Sequence, residues 1–302
     1  MAKAREIENL NCQEAASEGI LKVLLTRSDE VTEFAKLALE KGEDAEVIHD
    51  LRVAIRRLRS AMRDFSDFLD RKRLKPLRKK LKVFASALGA VRDKDVACET
   101  LRKLSRKVED KIVAKTISSL IEEEISARRE LFETFLSELP DQISDLEKLF
   151  REFEFAVKPT SLSFAELGKR VISTNLEEFL LLSQSFYKPF GVDELHRLRI
   201  VGKRLRYSIE LFSICYDRQR ADAIAYQVAE MQGILGELHD ADIWIDTIGQ
   251  RLKEGKIEET SGIWILSEFV KHRDRSYRKA LELWANWLKK DFVKGLKEEL
   301  LR

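Results

Sequence analysis

The chain has 302 residues, of which 36% are charged and 44% are hydrophobic, with 12 glycines and 4 prolines. This mixture is typical of long amphipathic helices and leaves little of the turn chemistry that a sheet-rich fold requires. The 55 Lys and Arg nearly balance the 53 Asp and Glu, so the net charge of +2 does not by itself indicate an anionic partner.

The sequence contains neither a membrane-spanning run nor a zinc motif. No stretch approaches the roughly 18 apolar residues of a membrane span, and the first residues lack the apolar core of a signal peptide. Cys12, Cys98 and Cys215 form no C-x-x-C pair. We therefore expect a soluble cytoplasmic protein with no membrane partner, no metal and no cofactor.

Proline and glycine interrupt the helical pattern at a few places. In chain order, the breaks are expected at Lys41-Gly42, Pro76, Leu139-Pro140-Asp141, 157–161 and 188–191. We predict four to six helices in each half, arranged as an antiparallel bundle because the connections are short. The proline and small polar residues at 157–161 predict a boundary between an N-terminal half, 1–157, and a C-terminal half, 158–302.

Two blocks of the sequence occur twice. Residues 49–59 (HDLRVAIRRLR) match 196–206 (HRLRIVGKRLR), and 88–96 (LGAVRDKDV) match 235–243 (LGELHDADI). Both matches have the same offset of 147 positions, from 49 to 196 and from 89 to 236. Two blocks with one offset indicate an internal duplication. The expected fold class is therefore all-α, with two pseudo-symmetric four-helix-type bundles.

The first repeated block separates cations from apolar side chains. At about 100° per residue, one helix face carries the cations and the opposite side is apolar. The cationic face holds His49, Arg52, Arg56, Arg59 and Arg63 in the first copy, and His196, Arg199, Lys203 and Arg206 in the second. The apolar side holds Leu51, Leu58, Met62 and Phe65 in the first copy, and Leu198, Leu205, Ile209 and Phe212 in the second.

Such a stripe is most often just the solvated side of a helix. Residues 196–206, however, contain five Lys and Arg and no acid. Like charges this close destabilise a helix unless another interaction offsets the repulsion, and a bound polyanion would do so. His49 and His196 either contact that anion or are structural, hydrogen-bonded to a neighbouring element.

A lysine-rich segment follows in the N-terminal half only. Residues 71–82 contain eight Lys and Arg and no acid. Lys75, Lys79 and Lys82 share one side of a helix, opposite an apolar side made of Leu77, Leu81, Phe84 and Leu88. At the same offset the second half has Asp222, Tyr226 and Ala229. We therefore expect an asymmetric site that is stronger in the N-terminal half.

The second repeated block is expected to be structural. Its glycines, Gly89 and Gly236, would allow a close approach or end a helix. Its aspartates are Asp93, Asp95, Asp240 and Asp242. They would cap the following helix or pair with arginines of the basic helix.

The repeated blocks resemble the CHAD family, the conserved histidine α-helical domain. Each half of that domain carries a His-x-x-Arg-x-x-x-[Arg/Lys]-Arg-Leu-Arg helix and a Leu-Gly-x-x-[Arg/His]-Asp element. The helix motif matches residues 49–59 and 196–207, and the second element matches 88–95 and 235–242. The resemblance spans nearly the whole chain and identifies a stand-alone copy of the domain. The matching cations are Arg52, Arg56, Arg57, Arg59, Arg199, Lys203, Arg204 and Arg206, with both histidines.

The resemblance implies a basic central groove or cavity that binds inorganic polyphosphate without enzymatic activity. It also implies recruitment to polyphosphate granules, where proteins that metabolise polyphosphate would be partners. The lysines Lys75, Lys79 and Lys82 are added to the binding residues from the pattern of this chain alone.

Three other functions fit parts of the sequence. The first is a metal-dependent phosphohydrolase, because His49-Asp50 and His239-Asp240 are like the His-Asp dipeptides of such enzymes. The repeat does not keep these residues, however, since Arg197 is the equivalent of Asp50 and Arg92 is the equivalent of His239.

Nucleic acid is also a linear polyanion, but the basic faces carry no interleaved aromatic residues on which bases would stack. A scaffold role, with Trp284, Trp287 and Phe292 near the C-terminus docking a partner protein, stays open.

Overall fold

The computed structural model describes residues 5–41 and 44–300. These residues form α-helices joined by short connections and contain no strand, so the prediction of an all-α fold is confirmed. The chain divides into two compact units, Met1–Phe164 and Ala165–Arg302. We call these the first and second units. None of the described helices is both long and apolar enough to cross a membrane.

The first unit is built on four long helices. In chain order, its helices are α1 (Ala16–Glu40), α2 (Ala45–Asp64), α3 (Lys75–Ser105), α4 (Lys111–Phe150) and the short α5 (Phe153–Ala156). Each long helix packs on the next, and α1 also packs on α4, which closes the bundle. Phe84 of α3 stacks on Phe135 of α4 in its core, with ring centroids 5.7 Å apart.

The second unit repeats this order of helices. It contains α6 (Phe164–Leu182), α7 (Val192–Phe212), α8 (Arg218–Lys253), α9 (Glu259–Lys289) and α10 (Phe292–Leu300). Helix α8 packs on both α7 and α9, and the Phe179 ring of α6 contacts Trp284 of α9. The matching order agrees with an internal duplication, which stays a prediction, as does a central groove.

Local sequence signals begin several helices. The carboxylate of Asp110 accepts hydrogen bonds from the backbone N–H groups of Ile112 and Val113 at the start of α4. Glu258 does the same for Thr260 and Ser261 at the start of α9. These caps satisfy N–H groups that have no partner inside the helix.

The expected break at Pro140 is wrong, because α4 runs through it to Phe150. Proline removes one backbone hydrogen bond from a helix interior. The buried side chains on either side, Leu139 and Ile143, keep their places in the core, and this packing holds the helix together across the proline. Lys41 directly follows α1 and Pro76 lies in the first turn of α3, whereas Gly42 lies outside the described residues.

The tryptophans belong to the core of the second unit. Trp284 and Trp287 are each about one-twentieth exposed, and Trp287 packs on Phe292 of α10 with ring centroids 4.4 Å apart. The hypothesis that Trp284 and Trp287 dock a partner is therefore wrong, because their surfaces are already covered within the unit. Phe292 is half-buried, and a contact of this residue with a partner stays a prediction.

Candidate polyanion-binding surfaces

The helices α2 and α7 bury their apolar sides as predicted. Leu51 and Leu58 of α2 and Phe65 directly after it are fully buried. Leu198, Ile209 and Phe212 of α7 are fully buried as well. Packing against the rest of each unit fixes the rotation of both helices. The cationic side of each helix is consequently turned away from that apolar core.

In the first unit, α2 and α3 run antiparallel and each carries cations on the side away from the apolar core. The Arg52 guanidinium lies 3.5 Å from the carboxylate of Asp93 in α3, while Arg78 near the start of α3 reaches the Met62 carbonyl near the end of α2. Arg56 is half-buried and Arg59 is exposed. We call Arg52, Arg56, Arg59, Lys75, Lys79 and Lys82 the first basic surface.

The three lysines of this surface lie in the first two turns of α3 and just beyond. Lys75, Lys79 and Lys82 are all exposed, whereas Leu77, Leu81, Phe84 and Leu88 on the other side of the helix are buried. The predicted separation of lysines from the apolar side is confirmed.

Two other cations of α2, Arg57 and Arg63, are not counted in this surface, because Arg57 lies about 100° around the helix from Arg56 and Arg63 is already paired. Arg63 donates to Asp64 at 2.5 Å and to the Ser60 hydroxyl at 3.0 Å, so its guanidinium is held by its own helix. Arg57 is half-buried.

In the second unit, Arg199 lies against α8 where that helix has a glycine. A Cβ atom at Gly236 would stand 3.6 Å from Nε of Arg199, which is an ordinary van der Waals contact, so this position does not require glycine for a close approach. A Cβ at Gly89 in the first unit would meet nothing within 4 Å. Both glycines lie inside long helices, and the alternative that they end a helix is wrong.

We call Arg199, Lys203, His196 and His239 the second basic surface.

The last two cations of the motif on α7 point elsewhere. Arg204 donates to the carboxylate of Glu178 in α6 at 3.1 Å. Arg206 is 3% exposed, with its Nε 3.3 Å from Glu210 and its guanidinium over the Tyr207 ring. Arg206 therefore departs from the exposed face on which the helical periodicity places it.

The histidines of the motif each lie beside a residue of the second repeated block. Burial and the charge of Arg92 in α3 hold the pKa of His49 below its ordinary value, against a smaller opposing effect of Asp50. His196 faces His239 of α8, with ring centroids 4.0 Å apart and planes tilted by 36°. Because Arg92 and His239 are 147 positions apart, these two pairings are equivalent.

Both histidines of the His196–His239 pair have lowered pKa values. Burial, then Arg199 and Lys203, lower the pKa of His196. Burial, then His196, Arg199 and Lys203, lower the pKa of His239 to about 4. Both imidazoles are therefore neutral at neutral pH. Cations that depress a histidine pKa show that the local potential is positive, and the same potential attracts an anion.

The repeated aspartates tie α3 and α8 to the next helix. Asp95 accepts a hydrogen bond from Arg128 of α4 at 3.0 Å, and Asp242 accepts one from Arg273 of α9 at 2.5 Å. All four aspartates lie within helices, so the prediction that they cap the following helix is wrong. The alternative, pairing with an arginine of the basic helix, is confirmed for Asp93 with Arg52.

Sequence reasoning missed Arg92 and His239 as members of the site. Both occupy the [Arg/His] position of the Leu-Gly-x-x-[Arg/His]-Asp element, so the signal was the repeated position itself. A helix periodicity shows which residues share a face of one helix, but not which residue of the next helix they face.

The protein is thus an all-helical one whose two units each present a basic helix, and its fold also occurs among solved structures. The crystal structure of the CHAD domain from the plant Ricinus communis matches with a TM-score of 0.71 and 18% identity, covering 92% of this chain and 95% of that one. PptA from Streptomyces chartreusis matches with a TM-score of 0.74 and 13% identity, covering 90% and 100%. No curated protein has a detectable sequence match to this chain.

The sequence itself decides the family. Residues 24–249 match the model of the CHAD domain. The matched region includes both repeated blocks and both basic surfaces. The chain belongs to the CHAD family.

Proposed function

We propose that this protein binds inorganic polyphosphate through the two basic surfaces and catalyses no reaction on it. The observation that carries the proposal is the repeated placement of cations on α2 and α7, each on the side opposite a buried apolar side. Arginine forks donate paired hydrogen bonds to phosphate, and lysines add mobile charges that tolerate a shift of register along a repeating polymer. Membership of the CHAD family supports this ligand.

Cytoplasmic location, recruitment to polyphosphate granules and contacts with polyphosphate-metabolising proteins are parts of the same proposal. Each would follow from binding the polymer itself. Nucleic acid is the alternative polyanion, and competition decides between the two. We expect DNA or RNA at equal phosphate concentration and equal salt to leave bound polyphosphate in place.

Charge reversal tests the proposal directly. The variant Arg52→Glu, Arg56→Glu, Arg199→Glu and Lys203→Glu replaces attraction by repulsion on both surfaces, and titration with polyphosphate is expected to show no binding. Circular dichroism should show unchanged helical content, because none of the four side chains belongs to the apolar core. Unchanged affinity would refute the proposal.

A matched control makes the same change of net charge at exposed lysines that belong to neither basic surface. Lys111, Lys115, Lys289 and Lys290 are exposed, and reversing all four to Glu is expected to leave most of the affinity of the unaltered protein at moderate salt, where charges beyond about 10 Å are screened. Equal loss of binding in both variants would mean that net charge, rather than these surfaces, determines the affinity. A phosphatase assay with added divalent metal ions tests the absence of catalysis, and phosphate release above the background would contradict it.

A further inference from the structure

The two histidines of the second basic surface are an unusual pair for a surface rich in cations. Their rings are 4.0 Å apart, and among the described groups the Nδ1 atoms of both are buried without a hydrogen-bond partner. A buried ring nitrogen of this kind has its hydrogen-bonding capacity unused, so no protein group determines whether it carries a proton. Two imidazolium rings at this separation would repel each other, so the pair takes up at most one proton beyond those of its two neutral rings.

The charged groups near the pair come from α7 and α9. Helix α7 supplies Arg199 and Lys203, which lower the pKa values of both histidines, and Asp193, which opposes them at His196 only. Helix α9 also packs on α8, where its Arg273 is bound to Asp242, about one turn beyond His239. Helix α10 reaches α8 near its start, where Glu299 binds Arg220, 19 residues before His239, so this ion pair lies away from the histidines.

A bound polyanion changes this balance. Phosphate groups beside Arg199 and Lys203 would offset the positive charge that keeps the imidazoles neutral. The cost of protonating one ring of the pair would fall, and the proton would then add one positive charge beside the ligand.

We propose that His196 and His239 make polyphosphate binding proton-coupled: the pair is neutral in the free protein and takes up a proton when the polymer binds to the second basic surface. The inference rests on the proposed function and adds His239 to the binding residues. In the first unit the equivalent position holds a fixed charge, Arg92, so of the two equivalent residues only His49 titrates there. The two units therefore respond differently to pH.

The sign of the effect follows from linkage. Between the lowered pKa of the free pair and its higher pKa beside the polymer, binding takes up a proton, and so affinity rises as the pH falls. One coupled proton permits at most about a tenfold change in affinity per pH unit. Between neutral and mildly acidic pH, we expect a gain of about three- to tenfold at constant ionic strength.

The internal repeat supplies the matched variants. His239→Arg copies the arrangement of the first unit, and it is expected to bind long-chain polyphosphate at least as well as the unaltered protein at alkaline pH, with a flatter pH dependence. The reverse change, Arg92→His, is expected to weaken binding at alkaline pH and to steepen the pH dependence. All three proteins are titrated with the same long-chain polymer, so protonation of its few end groups affects them equally.

Calorimetry of the unaltered protein in two buffers of different ionisation enthalpy measures the proton uptake without any mutation, and we expect about one proton at mildly acidic pH. Binding without proton uptake, or the same pH slope in His239→Arg as in the unaltered protein, overturns the proton coupling and leaves the proposed function standing. Absence of polyphosphate binding at every pH overturns both.

Discussion

At the scale of single residues, the two copies of the motif place one arginine in opposite environments. Arg59 and Arg206 occupy the same position of the repeat. Arg59 is exposed, whereas Arg206 is buried beside Glu210 and Tyr207. This buried guanidinium contributes to the stability of the unit, because removing it takes away the ion pair with Glu210 and the contact with the Tyr207 ring.

The two positions should therefore respond differently to the same substitution. We expect Arg206→Gln to lower the free energy of unfolding by about 1–3 kcal/mol and to leave polyphosphate affinity within about twofold. Arg59→Gln is expected to lower the affinity roughly tenfold, as for the loss of a charged hydrogen bond, without a measurable change in stability. Urea unfolding and polyphosphate titration of both variants check this, and a stability loss in Arg59→Gln with a binding loss in Arg206→Gln would reverse the assignment.

At the scale of helices, α3 and α8 differ on their outer sides although they occupy the same place in their units. Lys75, Lys79 and Lys82 of α3 are exposed, and so are the equivalent Asp222 and Tyr226 of α8. Ala229, the equivalent of Lys82, is half-buried. Only the first unit thus extends its basic surface along the second helix of the motif.

Transferring the lysines tests whether this helix face accounts for the asymmetry. Reversing Lys75, Lys79 and Lys82 to Glu is expected to weaken polyphosphate binding. Placing lysines at Asp222, Tyr226 and Ala229 is expected to strengthen it. Each substitution should change the affinity by up to about fivefold at low salt. Reversal of the exposed Lys107, Lys111 and Lys115 serves as the control. If the control weakens binding as much as the first variant, the lysines of α3 have no particular role.

At the scale of the whole molecule, each unit has its own core and its own basic surface. The Phe84–Phe135 stack belongs to the first unit, and the contacts of Trp284 with Phe179 and Phe186 belong to the second. A polymer that is long enough can occupy both surfaces, and binding to the second is then favoured by the high local concentration of a polymer already held by the first.

Affinity should consequently depend on chain length. We expect Arg52→Glu with Arg56→Glu, or Arg199→Glu with Lys203→Glu, to lower the affinity for long polyphosphate by on the order of 100-fold, and to leave measurable binding in each case. Short polyphosphate, which occupies one surface at a time, should bind the unaltered protein more weakly and lose less affinity in either variant. Equal effects of the mutations on long and short chains would show that the two surfaces act independently.

Much of the fold follows from patterns within single helices. The apolar spacing around Leu58 and Leu205 predicted which side of α2 and α7 is buried, because a helix repeats every 3.6 residues and its apolar stripe has to face a core. The common offset of 147 predicted which parts of the two halves correspond. The continuation of α4 through Pro140 was not predictable in this way, since burial on both sides of the proline outweighs its local cost.

The sequence by itself determined the helical class, the family, the buried sides of the helices and the two clusters of cations. Only the tertiary structure decided which cations stay exposed, as the contrast between Arg59 and Arg206 shows, and which histidine faces which partner. The physical reason is that periodicity describes one helix at a time. The contact of His196 with His239 depends on the rotation and register of α7 against α8, and these are set by the packing of all the side chains between the two helices.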